Sequence, residues 1–526
     1  KTYKLDPVHF YTSPGLSWNA LLKHSKVSLD IIQDPDMLLM VESGIRGGVS
    51  TITHRHAVAN NPYLPKTYNK DKPNTYIPYL DANNLYGWAM SQYLPTGGFE
   101  WYKNSSRNKM SVNPLEKQDI YYCQVCNLNV PDIDVHEAGE YHKGELEDFN
   151  GYEDEPEFDV MKISDTSRKG YILEVDLEYP TEIHDIHNDY PLAPESLELD
   201  GVRKLVPNLQ NKIKYVVHYR SLKQYLSLGL KLTKIHRVLK FDQEPWMKRY
   251  IDLNTNLRKK ATTDFDKDNF KLMNNCVFGK TMENIRKHID VKLVKTRERA
   301  QKLVNKPNFS SFKIFNENLV AMHMKKTKLK FDKPVYVGQA ILDLSKTLMY
   351  DFHYNTIKKK YGSNAQLLFT DTDSLCYEIQ TEDFYRDMKK MKKLYDTSNY
   401  PVEHPNYSNV NKKVLGKMKD ETSGKPIEEF VGLRSKLYAY KIGDTEEKKC
   451  KGIAKNVVEK SIQLEDYRRV LFEKCIIHRK MKRFGTDRHQ IYTKEVNKVA
   501  LSGNDDKRVI QEDGISTLAY GHYKLK

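Results

Sequence analysis

Two short apolar runs, Gln366 to Phe369 and Leu375 to Ile379, are separated by Thr370-Asp371-Thr372-Asp373-Ser374. Runs of this length around a stretch of Asp, Thr and Ser read as a tight β-hairpin with carboxylates at its tip. The hairpin commits this part of the chain to an antiparallel sheet. It also holds Asp371 and Asp373 side by side. Two acids that close repel each other unless a cation sits between or beside them, which favours a metal. Asp and Ser are also common turn formers, so a purely structural hairpin has the same local signature.

Two further constellations lie upstream. In Tyr79-Leu80-Asp81-Ala82-Asn83-Asn84-Leu85-Tyr86-Gly87 a short apolar strand (Thr75 to Leu80) ends in an Asp, a polar turn follows, and helix begins near Leu85. A carboxylate at a strand end is held rigidly, and with neighbouring carbonyls it offers the oxygen ligands that hard divalent cations favour. An Asp in that position is equally a turn or N-cap residue. In Lys271-Leu272-Met273-Asn274-Asn275-Cys276-Val277-Phe278-Gly279, helical spacing puts Lys271, Asn275 and Phe278 on one face. Phe270, Met273 and Val277 form a separate apolar face that can dock the helix. One side packs, while the other offers an ammonium, an amide and an aromatic plate, groups suited to a triphosphate and a base. An ordinary amphipathic helix with a solvated Lys fits the same spacing.

The 526 residues are enough for roughly three or four domains, and with 39% hydrophobic residues and 35 tyrosines there is ample material for packed cores. Apolar runs such as Met37 to Val41 are far too short to span a membrane, and the first residues lack a signal-peptide core. The chain starts with Lys rather than Met, as a piece of a longer protein would. Six scattered cysteines fit a reducing, intracellular compartment, nucleus or cytoplasm. Lys and Arg number 85 against 70 acids, a net charge of +15, and the simplest partner for such a surface is nucleic acid. The basic residues cluster at Lys325 to Lys330, Lys389 to Lys393 and Arg479 to Arg483. The stretch from His136 to Asp159 carries ten acids and one Lys, and reads as a solvated insertion pointing away from phosphates. Short strands mixed with longer helical stretches give an α+β, multi-domain enzyme.

In order and combination the three constellations resemble the polymerase motifs of family B DNA polymerases. The first motif there reads Asp-x-x-Ser-Leu-Tyr-Pro, against Asp81 to Gly87. The second reads Lys-x-x-x-Asn-Ser-x-Tyr-Gly, against Lys271 to Gly279. The third reads Tyr-x-Asp-Thr-Asp-Ser, against Phe369 to Ser374. A downstream Lys-x-Tyr appears as Lys436-Leu437-Tyr438. Ile45-Arg46-Gly47-Gly48 is similar to the Tyr-x-Gly-Gly linker motif, departing at the Tyr. The long gap from Asp81 to Lys271 and the extra stretch after the second motif resemble protein-primed members. Asp81 to Met90 and Asn188-Asp-Tyr-Pro-Leu-Ala-Pro194 are similar to polymerases of Maverick/Polinton transposons, related viruses and linear plasmids.

The resemblance implies a right-hand architecture: a palm with an antiparallel sheet, helical fingers and a thumb, with insertions. It divides the chain into a linker and palm start (1–60), palm with the first motif (61–102), a terminal-protein-region-like insertion (103–235), fingers (236–290), a second insertion (291–332), palm (333–452) and thumb (453–526). It implies a DNA-directed DNA polymerase using two Mg²⁺ ions, held by Asp81 and Asp373 with the Ala82 carbonyl, Asp371 supporting. It further implies that Lys271, with Lys259 from the Arg258-Lys259-Lys260 run, grips the triphosphate. Asn275 and Phe278 would line the nascent base pair, and Tyr86 would exclude ribonucleotides. Arg46, Gly47, Gly48, Lys436 and Tyr438 would meet DNA. The implied partners are a DNA template-primer, deoxynucleoside triphosphates and a terminal protein, with no membrane, and the chain is expected to be a monomer.

Only 44 residues precede Ile45, and the Asp-x-Glu pairs at Asp176/Glu178 and Asp444/Glu446 follow the first motif. A proofreading exonuclease is therefore not expected within these residues. Within 121–143, Cys123, Cys126, His136 and His142 have spacing close to a Cys₂His₂ zinc site, and Zn²⁺ there would staple a segment with little core of its own. Two thiols and two surface histidines without metal remain the other reading. Two rival functions stand beside the polymerase: an inactive transposon-derived DNA-binding remnant, and an RNA-templated polymerase, which the Asp-Thr-Asp-Ser turn disfavours.

Overall fold

The computed structural model of the chain describes residues 2–102, 121–123, 128–130, 158–487 and 490–525, with backbone only at 121–123 and 128–130. Cys126, His136 and His142 lie outside the described residues, as does the Cys123 side chain, so the zinc expectation falls there. Among the described residues no helix is long and apolar enough to cross a membrane.

A central sheet carries the carboxylate hairpin. Its strands run in the order Ser50–Ile52, Ala365–Asp371, Ser374–Gln380, Tyr79–Ala82, Met418–Asp420 and Tyr395–Asp396, with Thr75–Tyr76 also paired to Ser374–Gln380. All pairs are antiparallel except the last in the order. Leu80, Leu367, Leu375 and Tyr377 are buried on this sheet with Tyr190 and Tyr350. The helix Val335–Tyr350 is covered on nearly every side, burying Gln339, Asp343 and Lys346 along with its apolar residues. It continues into a π-helical stretch, Asp351–Lys358.

A second antiparallel sheet orders Lys212–His218, Lys169–Glu178, Lys231–Glu244 and Leu94–Trp101. The fourteen-residue strand Lys231–Glu244 continues through two register shifts against Lys169–Glu178. Helices Lys248–Lys260 and Asp264–Thr281 pack on each other and on Ser13–Ser25. Thr263 caps the second of these by accepting from the Asp266 N–H, with Asp264 and Asp266 favourable in its first turn. Met273 and Val277 are buried as expected, while Phe270 is only partly so. Residues 289–325 form a three-stranded sheet around Leu319–Lys325 with helix Arg297–Val304 against it, enclosing Val294, Leu303, Met322 and Met324.

Asn188–Pro194 is an internal staple. Asp189 accepts from Lys358 at 3.0 Å, Gln366 at 2.9 Å and the Leu367 N–H at 3.2 Å. Tyr350 and Tyr354 donate to the carbonyls of Pro191 and Tyr190.

The ribbon Ile477–Asp487/Gln490–Leu501 is exposed along most of its length. Residues 502–525 do not continue it. They return to the body, where Arg508, fully buried, donates to the Asn188 carbonyl at 2.9 Å and Leu209 donates to Tyr520. Arg55 donates to the carbonyls of Gly503 at 2.6 Å, Gly514 at 3.0 Å and Leu433 at 3.2 Å. The last segment thus buries a charged group, Arg508, that finds partners both within the segment, at Thr517, and on the body, at Asn188.

Candidate active site

Asp81 ends its strand opposite Ser374 on one side and Lys419 on the other. Asp371 and Ser374 face each other across the hairpin tip, and the Ala82 N–H donates to the Asp373 carbonyl at 2.7 Å. The first and third motifs are therefore laced together by adjacent strands. Between Asp371 and Ser374 the chain turns through Thr372 at φ 64°, with the Asp373 N–H on the Asp371 carbonyl at 2.8 Å. A β-branched residue in the left-handed region is costly and needs outside support. The Val49 carbonyl supplies it, accepting from the Thr372 N–H at 2.7 Å. At Gly48 an added Cβ would lie 2.5 Å from both the Thr372 methyl and hydroxyl, so the linker motif needs glycine there to let the turn come close.

Burial, with Asp373 and Glu421 alongside, pushes the Asp81 carboxyl up to about 8; Lys419 and Lys271 oppose the rise. Burial also raises Asp373, with Asp371 and Glu421 adding to it against its own backbone N–H and Lys436. Asp371 is in a different state: Lys436 donates to its Oδ2 at 2.6 Å and to Oδ1 as well. Hard oxygen donors that crowd each other and, among the described residues, have no ion-pair partner fit a divalent cation such as Mg²⁺. Among the described residues no set of three His, Cys, Asp or Glu groups forms a metal cluster, so the fit rests on the Asp81/Asp373 pair.

Tyr86 follows Asn84, which stands at φ 42° and caps helix Leu85–Met90 by accepting from the Gly87 N–H at 3.1 Å. A Cβ on Gly87 would be 2.4 Å from that amide, so the two departures from the family pattern, Asn84 and Gly87, fit each other. The Tyr86 ring stacks on Phe278 with centroids 4.6 Å apart and planes 16° from parallel. Burial and the nearby Asp373 raise its hydroxyl. Asn275 and Lys271 are exposed on the same helix face as Phe278. The structure thus brings the second motif against the first.

Lys271 lines a small cleft with Asn83, Asn84, Thr255, Arg258, Asn274, Lys413 and Leu415. Arg258, not Lys259, is the helix cation in it; Lys259 is exposed. The signal was in the sequence: Arg258 is i+4 from Asn254 and i+7 from Ile251, both buried, whereas Lys259 is one step further round. The Arg258 Nε is buried without a hydrogen-bond partner.

The Arg46 guanidinium donates to the Val216 carbonyl at 2.7 Å and lies 3.7 Å over the Tyr215 ring, while buried Lys346 donates to the Arg46 carbonyl. Gly47 beside it is exposed. Tyr438 is 3% exposed, stacked 4.3 Å from Phe369 with its hydroxyl 3.3 Å from that of Tyr79. It braces the hairpin from below. Glu421 and Lys419, paired at 2.5 Å beside Asp81, were not anticipated; nothing local marks them before the strand pairing is known.

A wide cleft, about 740 Å³, lies apart from these carboxylates, between Leu38, Arg46, Leu197, Arg286, Phe331 and Tyr336.

No protein-family model matches the chain, and no curated protein matches it in sequence. Among solved structures it is similar to Phi29 DNA polymerase in an orthorhombic crystal form, with TM-score 0.53 and 13% identity over 94% of this chain and 69% of that one. Phi29 DNA polymerase complexed with primer-template DNA gives TM-score 0.51 and 13% identity, covering 94% and 68%. Its complex with primer-template DNA and incoming nucleotide substrates gives 0.50 and 14%, with the same coverage. The α+β, multi-domain fold of this chain is therefore shared, over nearly its whole length, with the Phi29 DNA polymerase structures.

Proposed function

We propose that the chain is a DNA-directed DNA polymerase of family B and of the protein-primed type, adding deoxynucleoside monophosphates to a primer 3′-hydroxyl. The observation that carries this reading is the meeting of the Asp81/Asp373 pair, the Tyr86–Phe278 stack and the cationic cleft of Lys271 and Arg258 around one short strand-turn-helix. In the reaction the primer oxygen loses its proton and bonds to the α-phosphorus, the α–β bridging bond breaks, and pyrophosphate leaves. Protein groups act mainly by positioning and by charge.

Asp81 and Asp373, with the Ala82 carbonyl, would hold two Mg²⁺ ions, which when bound supply charge neutralisation at the attacking and leaving oxygens. Lys436 keeps Asp371 paired and so limits the negative charge at the tip. Lys271 and Arg258 grip the phosphates, with charge-assisted hydrogen bonds well suited to them. Tyr86 sits under the sugar and Phe278 beside the base, with Asn275 on the same face. Gly47 and Gly48 present backbone to the DNA, while Arg46 holds that segment in place. The exposed ribbon, with Lys480, Lys482, Arg483 and Lys494, suits phosphates of the duplex. The wide cleft, lined by Arg46, Arg203, Arg286 and Lys333 with two aromatic rings and three glutamates, suits an unpaired template strand. Protein priming would place a terminal protein against the 103–235 insertion, in a transposon, virus or linear plasmid.

The test is extension of a labelled DNA primer on a DNA template with Mg²⁺, run beside Asp373→Asn and with and without a terminal protein. Template-directed extension by the wild type alone supports the reading. Duplex binding without extension under every condition favours the inactive remnant.

A further inference from the structure

The cleft beside the first motif has an occupant from outside the two helices. Lys413 belongs to the loop that leads into strand Met418–Asp420, a different part of the chain from the two helices that carry Arg258 and Lys271. Its placement is built in detail. Lys413 adopts φ 54°, a conformation unfavourable for a lysine, and its N–H donates to Asp396 Oδ2 at 2.8 Å. The same oxygen accepts from the Asn83 amide at 2.7 Å. Two more bonds tie the loop to the first motif, Gly416 N–H to the Asn83 carbonyl and Asn83 N–H to the Lys417 carbonyl, each 2.8 Å. Gly416, at φ 76°, lies so close to Trp88 that a Cβ would meet its ring at 2.8 Å. The loop is thus moulded onto the turn after Asp81.

What that moulding achieves is electrostatically unfavourable for the empty protein. The cleft's lining contains three cations, two asparagines beside the catalytic strand and no carboxylate. Among the described residues Arg258, Lys271 and Lys413 have no ion-pair partner, and the acid acting on Lys413, Asp396, is engaged by backbone and amide. Burial, with Arg258, Lys412 and Lys267 nearby, holds the Lys413 ammonium below its ordinary range. Cations assembled without a partner call for a polyanion. Lys271 acts on the Asp81 carboxylate, whereas the charges acting on Lys413 are Arg258, Lys412, Lys267 and Asp396.

We propose that Lys413 is a third phosphate-binding cation of the nucleotide cleft, holding the end of the triphosphate remote from the reacting α-phosphorus. The assignment rests on the polymerase reading. It adds a contact from the carboxylate-bearing sheet's own side, so that the triphosphate tail is held between that loop and the two helices. The same side chain would hold the leaving pyrophosphate.

The experiment compares wild type, Lys413→Gln and Lys413→Arg in primer extension and in equilibrium binding of inorganic tripolyphosphate. In Lys413→Gln the KM for deoxynucleoside triphosphate rises about tenfold with kcat little changed and primer-template affinity unchanged, and Lys413→Arg restores most of the loss. Tripolyphosphate binding weakens by a similar factor. Unchanged KM and unchanged tripolyphosphate binding in Lys413→Gln overturn the proposal while leaving the polymerase reading intact. A wild type that binds tripolyphosphate through Lys413 yet never extends a primer overturns the polymerase reading instead. Thermal unfolding of each variant separates either result from misfolding.

Discussion

Gly48 and Thr372 are in such close approach that a single methyl group at Gly48 would press on both the hydroxyl and the methyl of the threonine between the two hairpin acids. The linker motif therefore positions the carboxylates by shape, from a segment far away in sequence. Gly48→Ala is expected to displace the turn, lowering primer extension by about 100-fold, since an ångström of misplacement is worth that much. The stability cost should be ~1–3 kcal/mol. Gly47→Ala, with open space around it, is the control. Equal activity in the two variants would separate the linker from the site.

Asp81 holds a proton in the folded, cation-free chain at pH values where the unfolded chain has lost it, because its folded pKa is raised from 3.8 to about 8. Stability of the cation-free protein therefore falls as pH rises through that window. Asp81→Asn should flatten the fall and raise Tm by a few degrees near pH 8. It should also abolish both extension and the added stability that Mg²⁺ gives the wild type. Melting curves across pH, with and without Mg²⁺, read the stability effects, and primer extension reads the third.

Tyr86→Ala should lower discrimination against ribonucleotides by ~10–100-fold, the scale of a steric pocket contact. The stack on Phe278 adds a second expectation: Phe278→Ala frees the tyrosine ring and also lowers discrimination, by less. Ratios of kcat/KM for matched deoxy- and ribonucleotides decide both.

Arg258→Ala should raise the KM for nucleotide by ~10-fold or more, the worth of a charge-assisted hydrogen bond. Lys259→Ala should leave it nearly unchanged, since that side chain is in solvent. The reverse pattern would return the role to Lys259.

Replacing Lys482 and Lys494 on the ribbon by Ala should weaken duplex binding. The slope of log affinity against log salt should become shallower by about one for each phosphate left without its lysine. Single-nucleotide incorporation at saturating DNA should be retained. A salt slope identical to that of the wild type would mean that the ribbon does not lie on the backbone.

What was legible in the sequence was local. The Asp-Thr-Asp-Ser turn and the helix face of Lys271, Asn275 and Phe278 follow from turn chemistry and periodicity and form where expected, while the strand expected over Thr75 to Leu80 forms as two pieces, Thr75–Tyr76 and Tyr79–Ala82, the second running through Asp81. Glu421 was not legible, because its place beside Asp81 depends on the register of Met418–Asp420 against Tyr79–Ala82, hundreds of residues apart. Tyr438 shows a different limit. Leu437, Tyr438, Ala439 and Tyr440 are all buried, so the strand is covered on both faces and lacks the alternation that would separate inside from outside. The basic run Arg258-Lys259-Lys260 hides the same problem in a helix, where only the phase relative to Ile251 and Asn254 singles out Arg258.

The Arg55 guanidinium clasps Leu433, near the end of strand Glu429–Arg434 from which residues 435–501 set out, and Gly503, just after they come back. Outgoing and returning chain are also joined by the Cys450 thiol on the Ala500 carbonyl at 3.3 Å. An excursion whose two roots are fastened at one point behaves as an exchangeable cartridge. Its tip can be lengthened, shortened or grafted from another protein without re-routing the body, because neither root has to move. The natural place for such engineering is between Asp487 and Gln490, which pair with each other, and the natural readout is duplex grip with the nucleotide chemistry held constant.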